Sequence, residues 1–289
     1  MAKFLKAIAN LSRPLSNVKN IALILLAFYL SKTEFNLILI LSGFFSLSLV
    51  CSAFYIYNSI CDFESDKTNA NKRHYFQAVD YLDKKSFIIF LIFLTSGLTI
   101  GIFINIYFFL NLLMLSIVNF LYSWNYTRFK EKFILDILFG ASLTFMFRFL
   151  AAWALFFQSL PPIMVLITIV LVKSAGYILY KDFDYQYLIL KNIKNSTTVF
   201  SKKTKIFISA SLLFLAFLFF IIMCLNSYLK INYIYTLPLK FLWFAIFMIP
   251  PIVVAYLSSF GKVKTKIRYL RIWGFLYWTI VMVIIFSLL

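Results

Sequence analysis

The feature that most constrains this chain is the recurrence of long apolar stretches, each bounded by lysines and arginines. A bilayer core takes about 20 predominantly apolar residues per helix. Nine stretches approach that demand, at about 18–31, 36–57, 86–101, 103–123, 133–157, 161–181, 205–226, 237–258 and 268–288. A segment surrounded by lipid must satisfy its own backbone polar groups, so stretches of this length are helices. The expectation is an all-α, polytopic membrane helix bundle of nine transmembrane helices, the third and fourth parting near Gly101. Composition agrees, since 63% of the 289 residues are hydrophobic and only 13% are charged. That leaves too few polar groups to cover a water-soluble domain of this size. No polar tract interrupts the pattern for long, so residues 1–289 read as a single transmembrane domain.

Lysine and arginine orient the helices. With the N-terminus inside, 23 of them fall in inside segments and 3 in outside loops, while Arg148 and Lys173 lie within spans. The positive-inside rule then places the N-terminus and the two long loops, about 58–85 and 182–204, in the cytoplasm, and the cell membrane is the expected location. The basic start of the chain, with Lys3, Lys6, Arg13 and Lys19, precedes an apolar stretch without a small-residue cleavage site, so the first helix is read as retained. The formal charge of +18 belongs to loops facing membrane lipids and phosphate-bearing ligands; nucleic acid is not an expected partner. Cys51, Cys61 and Cys224 show neither metal-ligand spacing nor a disulfide framework.

Acids are scarce, and nine of the ten fall on or beside the inferred cytoplasmic face, Glu34 being the exception. At the end of the second span, Asn58, Asp62 and Asp66 recur every four residues, which stacks them on one face if the helix continues. Like charges at that spacing repel, and a divalent cation relieves them. Mg²⁺ suits such a place, because it takes one or two carboxylates and completes its shell with water and substrate phosphate oxygens. The bland alternative is a solvated helix end. A second pair, Asp182 and Asp184, follows Lys181 at the end of the sixth span; at i and i+2 both reach one metal only if the helix frays. Lys67, Lys72 and Arg73 follow the first cluster and are candidate phosphate contacts, with Lys19 and Lys181 as further candidates and headgroup binding as the alternative role. Arg148, a charge inside a span, is expected to face the bundle interior as a ligand contact or half of an ion pair, with local solvation as the alternative role. The sequence has no glycine-rich phosphate loop, and its one histidine, His74, does not support a histidine metal site.

Asn58-x-x-x-Asp62-x-x-x-Asp66 resembles the first aspartate-rich motif of the UbiA superfamily of membrane prenyltransferases, with Ser59 standing where that family has its first aspartate. Arg13-Pro14-x-x-x-Val18-Lys19-Asn20, Asp66-Lys67-x-x-x-x-Lys72-Arg73-His74, Leu121-Tyr122-Ser123, Leu135-Asp136 and Arg148 are similar to the decaprenyl-phosphate phosphoribosyltransferase-like branch. Tyr75-Phe76 and Lys181 to Asp184 depart from that branch. The resemblance implies a Mg²⁺-dependent enzyme in which Asp62 and Asp66 are catalytic, and in which Asn58, Asp62, Asp66, Asp182 and Asp184 hold the metal. Lys19, Asn58, Lys67, Lys72, Arg73, Arg148 and Lys181 would bind substrate. The implied partners are a diphosphate-bearing donor and an isoprenoid lipid.

The expected activity is therefore transfer with displacement of diphosphate, in the favoured version phosphoribosyl transfer from phosphoribosyl diphosphate to a polyprenyl phosphate. Prenyl transfer to an aromatic or other small acceptor is the near alternative. A transporter or a catalytically degenerate scaffold is the distant one, since acids gathered at one face suit an enzyme better than a midplane transport site.

Overall fold

The computed structural model describes residues 2–69, 72–181, 185–190, 192–232 and 234–241. Every regular element among them is helical: α1 Ala2–Ser12, α2 Val18–Ser31, α3 Leu37–Cys61, α4 Phe63–Lys67, α5 Arg73–Leu82, α6 Lys84–Ile104, α7 Ile106–Ser123, α8 Leu135–Ala154, α9 Ile163–Lys181, α10 Tyr185–Leu190, α11 Ser196–Val199 and α12 Lys202–Leu229, with short 3₁₀ turns between some of them. Among the described residues six helices are long and apolar enough to cross a membrane, counting α1 and α2 together as Ala2–Ser31, then α3, α6, α7, α8 and α12. The seventh, α9, carries a shorter apolar stretch at Ile163–Ile178. The stretches expected at 237–258 and 268–288 lie outside the described residues apart from 237–241, where Leu239–Phe241 forms a 3₁₀ turn.

Two boundaries differ from the sequence expectation, for local reasons. The break expected near Gly101 falls at Asn105, whose extended backbone (φ −170°) ends α6 and whose side chain caps α7 by accepting from the Phe108 amide at 2.8 Å. Gly101 is used for contact instead, since a Cβ there would lie 2.9 Å from the Leu112 side chain. The second span runs on to Cys61 because its polar residues stay satisfied inside the helix: the Ser59 hydroxyl donates to the Tyr55 carbonyl at 3.0 Å.

The chain divides into two compact units, residues 1–129 with 147–159, and residues 130–146 with 160–289. In the first unit α3 is the central helix and lies directly against α6. A Cβ on Gly97 would sit 2.8 Å from Val50 and 2.9 Å from the Ser46 carbonyl, and the Ser46 hydroxyl donates to the Gly97 carbonyl at 2.7 Å. Small residues that let two backbones approach are how helices associate without a hydrophobic drive between them. A polar seam fixes the start of α2 on the same helix: Asn17 donates to the Ser52 hydroxyl at 2.8 Å, Ser52 to the Ser12 carbonyl at 3.0 Å, and Asn20 to the Ser48 hydroxyl at 3.2 Å. Pro14 supplies the first residue of the turn between α1 and α2, where a missing N–H costs nothing.

In the second unit α9 packs on α12 and on the first half of α8. The Ser142 and Ser174 hydroxyls meet at 2.8 Å, and Ser209 donates to the Ala175 carbonyl at 3.0 Å. Lys173, a charge within a span, lays its ammonium over the Phe145 ring at 4.2 Å.

Candidate active site

The end of α3 is where the first unit gathers its chemistry. The helix breaks at Asp62, but the i to i+4 backbone bonds carry through the break, from the Asp62 amide to the Asn58 carbonyl at 2.9 Å and from the Asp66 amide to the Asp62 carbonyl at 2.7 Å. Asn58 therefore still reaches Asp62, its amide donating to the carboxylate at 3.2 Å, while its Oδ1 accepts from the Ser123 hydroxyl on α7 at 3.0 Å. Asp62 and Asp66 are buried, at 6% and 2% exposure, although they sit at the end of a membrane helix.

Each carboxylate has a cation beside it. Arg128 Nη2 lies 3.6 Å from Asp62, and Lys72 Nζ lies 3.6 Å from Asp66. Both cations come from loops, and Arg128 holds a left-handed backbone (φ 37°), a conformation that costs a non-glycine residue about 1–3 kcal/mol and gathers at functional sites. Lys67 and Arg73 are exposed and make no described hydrogen bond or ion pair. Asp182 and Asp184 lie outside the described residues.

Tyr55 is two turns back along α3, about 10 Å from Asp62 and on the same face. Three cations surround it. Lys19 Nζ donates to its hydroxyl at 3.0 Å. The Arg13 guanidinium sits 5.2 Å from its ring centre and 4.0 Å from that of Tyr75, and also donates to the Ser59 hydroxyl at 3.4 Å. Arg148, 5% exposed, hydrogen-bonds Tyr55. Among the described residues none of the three forms an ion pair with a carboxylate, and the Nε atoms of Arg13 and Arg148 are buried without a hydrogen bond. A charge within a span costs about 2.5–3.5 kcal/mol even on the more lenient scales. Of the three, Arg148 is buried, while Arg13 and Lys19 are partly exposed.

In the second unit, Lys181 donates to Asp136 at 3.2 Å and to the Lys130 carbonyl at 3.0 Å.

A model of the UbiA prenyltransferase family matches residues 20–249. The chain belongs to that family. As a UbiA protein it is a membrane-embedded transferase, and its fold recurs across nearly the whole length of known UbiA structures. A UbiA homologue from Archaeoglobus fulgidus bound to GPP and Mg²⁺ superposes with a TM-score of 0.76 at 16% identity, covering 97% of this chain and 98% of that one. The apo structure of a UbiA homologue from Aeropyrum pernix K1 gives 0.72 at 15% identity, covering 95% and 98%. A digeranylgeranylglyceryl phosphate synthase structure gives 0.62 at 20% identity, covering 99% and 96%. A comparison with curated protein sequences finds no match.

Sequence reasoning singled out Asn58, Asp62, Asp66, Lys72, Lys19 and Arg148, and the structure gathers these on α3 or beside it. It missed Arg13, Tyr55, Ser123 and Arg128 as participants. Arg13 and Ser123 were legible as parts of the signatures that carried the family resemblance. Arg128 stands 66 positions from Asp62 in a short basic loop, and nothing in its neighbours distinguishes it from a lysine or arginine that merely faces headgroups.

Proposed function

We propose that this UbiA protein is a Mg²⁺-dependent integral-membrane transferase that displaces diphosphate from its donor and delivers the remaining group to an anionic lipid acceptor, the favoured version being phosphoribosyl transfer to a polyprenyl phosphate. The observation that carries this reading is the polarity of α3: buried carboxylates at its end, and a cationic cluster without a carboxylate partner two turns deeper.

Asn58, Asp62 and Asp66 fit a magnesium ion by donor chemistry, being hard oxygen ligands with few carboxylates, which leaves room for phosphate oxygens. Asp182 and Asp184 belong to the proposal by sequence position alone. The ion supplies neutralisation of the negative charge that grows on the departing diphosphate. Arg128 and Lys72 add fixed positive charge at the same place, and electrostatic stabilisation aimed where charge develops is commonly the largest single contribution to such a reaction. Asn58 and Ser123 hold the Asp62 carboxylate in orientation. Lys19, Arg13 and Arg148 bind and orient the acceptor's anionic group, and the apolar helices around them exclude water from the reacting centre. The positive-inside distribution supports nine crossings with the N-terminus and this site facing the cytoplasm.

Prenyl transfer to an aromatic or other small acceptor is the second reading, and it is favoured by the bound GPP in the Archaeoglobus homologue. An assay of the purified protein with Mg²⁺, a polyprenyl phosphate and aromatic acceptors, given radiolabelled phosphoribosyl diphosphate or prenyl diphosphates in turn, separates the two. Lipid-linked phosphoribose is the expected product. Product from the prenyl donors alone eliminates the favoured version.

A further inference from the structure

Every described side-chain hydrogen bond made by the three cations beside α3 ends on a neutral hydroxyl oxygen. Lys19 and Arg148 both donate to Tyr55, the first at 3.0 Å, and Arg13 Nη2 donates to Ser59 at 3.4 Å. All of these residues belong to the first unit. Two cations thus converge on one uncharged oxygen with a third beside the same ring, and the buried Nε atoms of Arg13 and Arg148 have no hydrogen bond.

This neutrality is decided at Ser59, which is 1% exposed. Its proton is committed to the Tyr55 carbonyl at 3.0 Å, so toward Arg13 the hydroxyl can only accept. Arg13 is held in place, its guanidinium over the Tyr75 ring at 4.0 Å and its backbone left-handed at φ 50°. An arginine has five N–H donors, and among the described residues this one uses a single side-chain hydrogen bond. A carboxylate in place of the serine hydroxyl would take a shorter, charge-assisted bond from the guanidinium. It would cancel one of the three positive charges, whereas the hydroxyl leaves all three standing. A phosphate monoester brings up to about two negative charges and three strong acceptor oxygens, and a carboxylate brings one charge on two oxygens. Three uncancelled cations therefore suit the phosphate better.

We propose that Ser59 is a specificity-determining residue: by keeping position 59 neutral it leaves Arg13 charged, so that the site beside Tyr55 selects a phosphate monoester over a carboxylate as the acceptor's headgroup. The proposal rests on the acceptor reading above. Its test is calorimetric titration of the purified full-length protein in detergent, without Mg²⁺, with farnesyl phosphate and with farnesoic acid, which join one isoprenoid chain to the two headgroups. A pH of about 8 keeps the phosphate doubly ionised, its second ionisation lying at about 6. The protein should bind the phosphate about tenfold tighter than the carboxylate or better, and Ser59→Asp should cut that ratio about tenfold, the low end for a contact to a charged group. Ser59→Asn matches the size without the charge and should leave the ratio within about twofold. Arg13→Met should cut it as Ser59→Asp does, which keeps the test open should Ser59→Asp fold poorly. The double variant should lose less than the two single losses combined, because both remove the same charge. An unchanged ratio in Ser59→Asp or Arg13→Met, an equal fall in Ser59→Asn, or a parent protein without preference for the phosphate overturns the inference and leaves the carboxylate end of α3 untouched. A parent protein that binds neither probe overturns the acceptor reading as well.

Discussion

The last turns of α3 and the turns just before them are built from opposite electrostatics. At the end, Asp62 and Asp66 each have a cation at 3.6 Å, so the acids arrive with their charge largely answered by the protein. Two turns deeper, Arg13, Lys19 and Arg148 crowd one tyrosine without a carboxylate partner among the described residues. Water can relieve a charge at a helix end. It relieves the charge of the buried Arg148 far less, and on the proposed reading the acceptor's anion brings the opposite sign. On that reading the two regions would recognise different things: the outer one a metal with a leaving group, the inner one an anion that stays behind.

Loss of either acid should cost the most. Asp62→Ala and Asp66→Ala should each lower turnover by a hundredfold or more, measured as radiolabelled product from protein that still elutes as a monodisperse species in detergent. Retained activity in both variants would remove the metal from the end of α3. Arg148→Met comes next and separates function from stability. Removing one contact to a charged group is worth about 1.5–3 kcal/mol, so the acceptor KM should rise about tenfold to a hundredfold. The melting temperature should stay level or rise by a few degrees, because a buried charge without a carboxylate partner is replaced by an apolar side chain of similar length. A fall in melting temperature with an unchanged KM would make Arg148 a structural residue.

Much of this was legible in the sequence, and what was not has a physical reason. Helix type, and the length of the spans that the structure describes, follow from apolar run length, because the bilayer imposes one dimension on every span. The register of Asn58, Asp62 and Asp66 was equally readable, since backbone bonds preserve the four-residue repeat even where α3 breaks. Partnerships across long separations were hidden. Nothing local says that Arg128 rather than Lys67 approaches Asp62, or that Asp136 holds Lys181 and Ser196, because each pairing depends on how loops return to helix ends. Arg148 was recognised as costly but its surroundings were not, since the sequence shows neither Tyr55 nor Lys19 beside it. The helix boundary near Gly101 failed for a related reason: glycine there serves helix contact, and an asparagine four residues on does the stopping.

Smaller effects sharpen the inner region. Lys19→Met should raise the acceptor KM about tenfold, a single charged contact being worth near the low end of its range. Tyr55→Phe, which removes only the hydroxyl that accepts from Lys19, should change it a few-fold. The ordering is what matters, because a Tyr55 loss equal to that of Arg148 would make the ring itself, and not the cations around it, the recognition element.

The smallest expected effect is at Lys67 and Arg73, and it tests whether the outer region ends where the structure ends it. Both follow the acidic motif directly in sequence, which alone would place them on the phosphate, yet both are exposed and only Lys72 from that run reaches Asp66. Exposed charges without a fixed partner contribute within about 0.5 kcal/mol. Lys67→Ala and Arg73→Ala should therefore keep turnover in detergent within about twofold of the parent. In vesicles containing anionic lipid the loss should be larger and should shrink with added salt, since a basic residue near such a surface gains about 1 kcal/mol that ionic strength screens. A tenfold loss in detergent, insensitive to salt, would instead move these two side chains onto the donor and extend the metal-bearing region beyond the buried carboxylates.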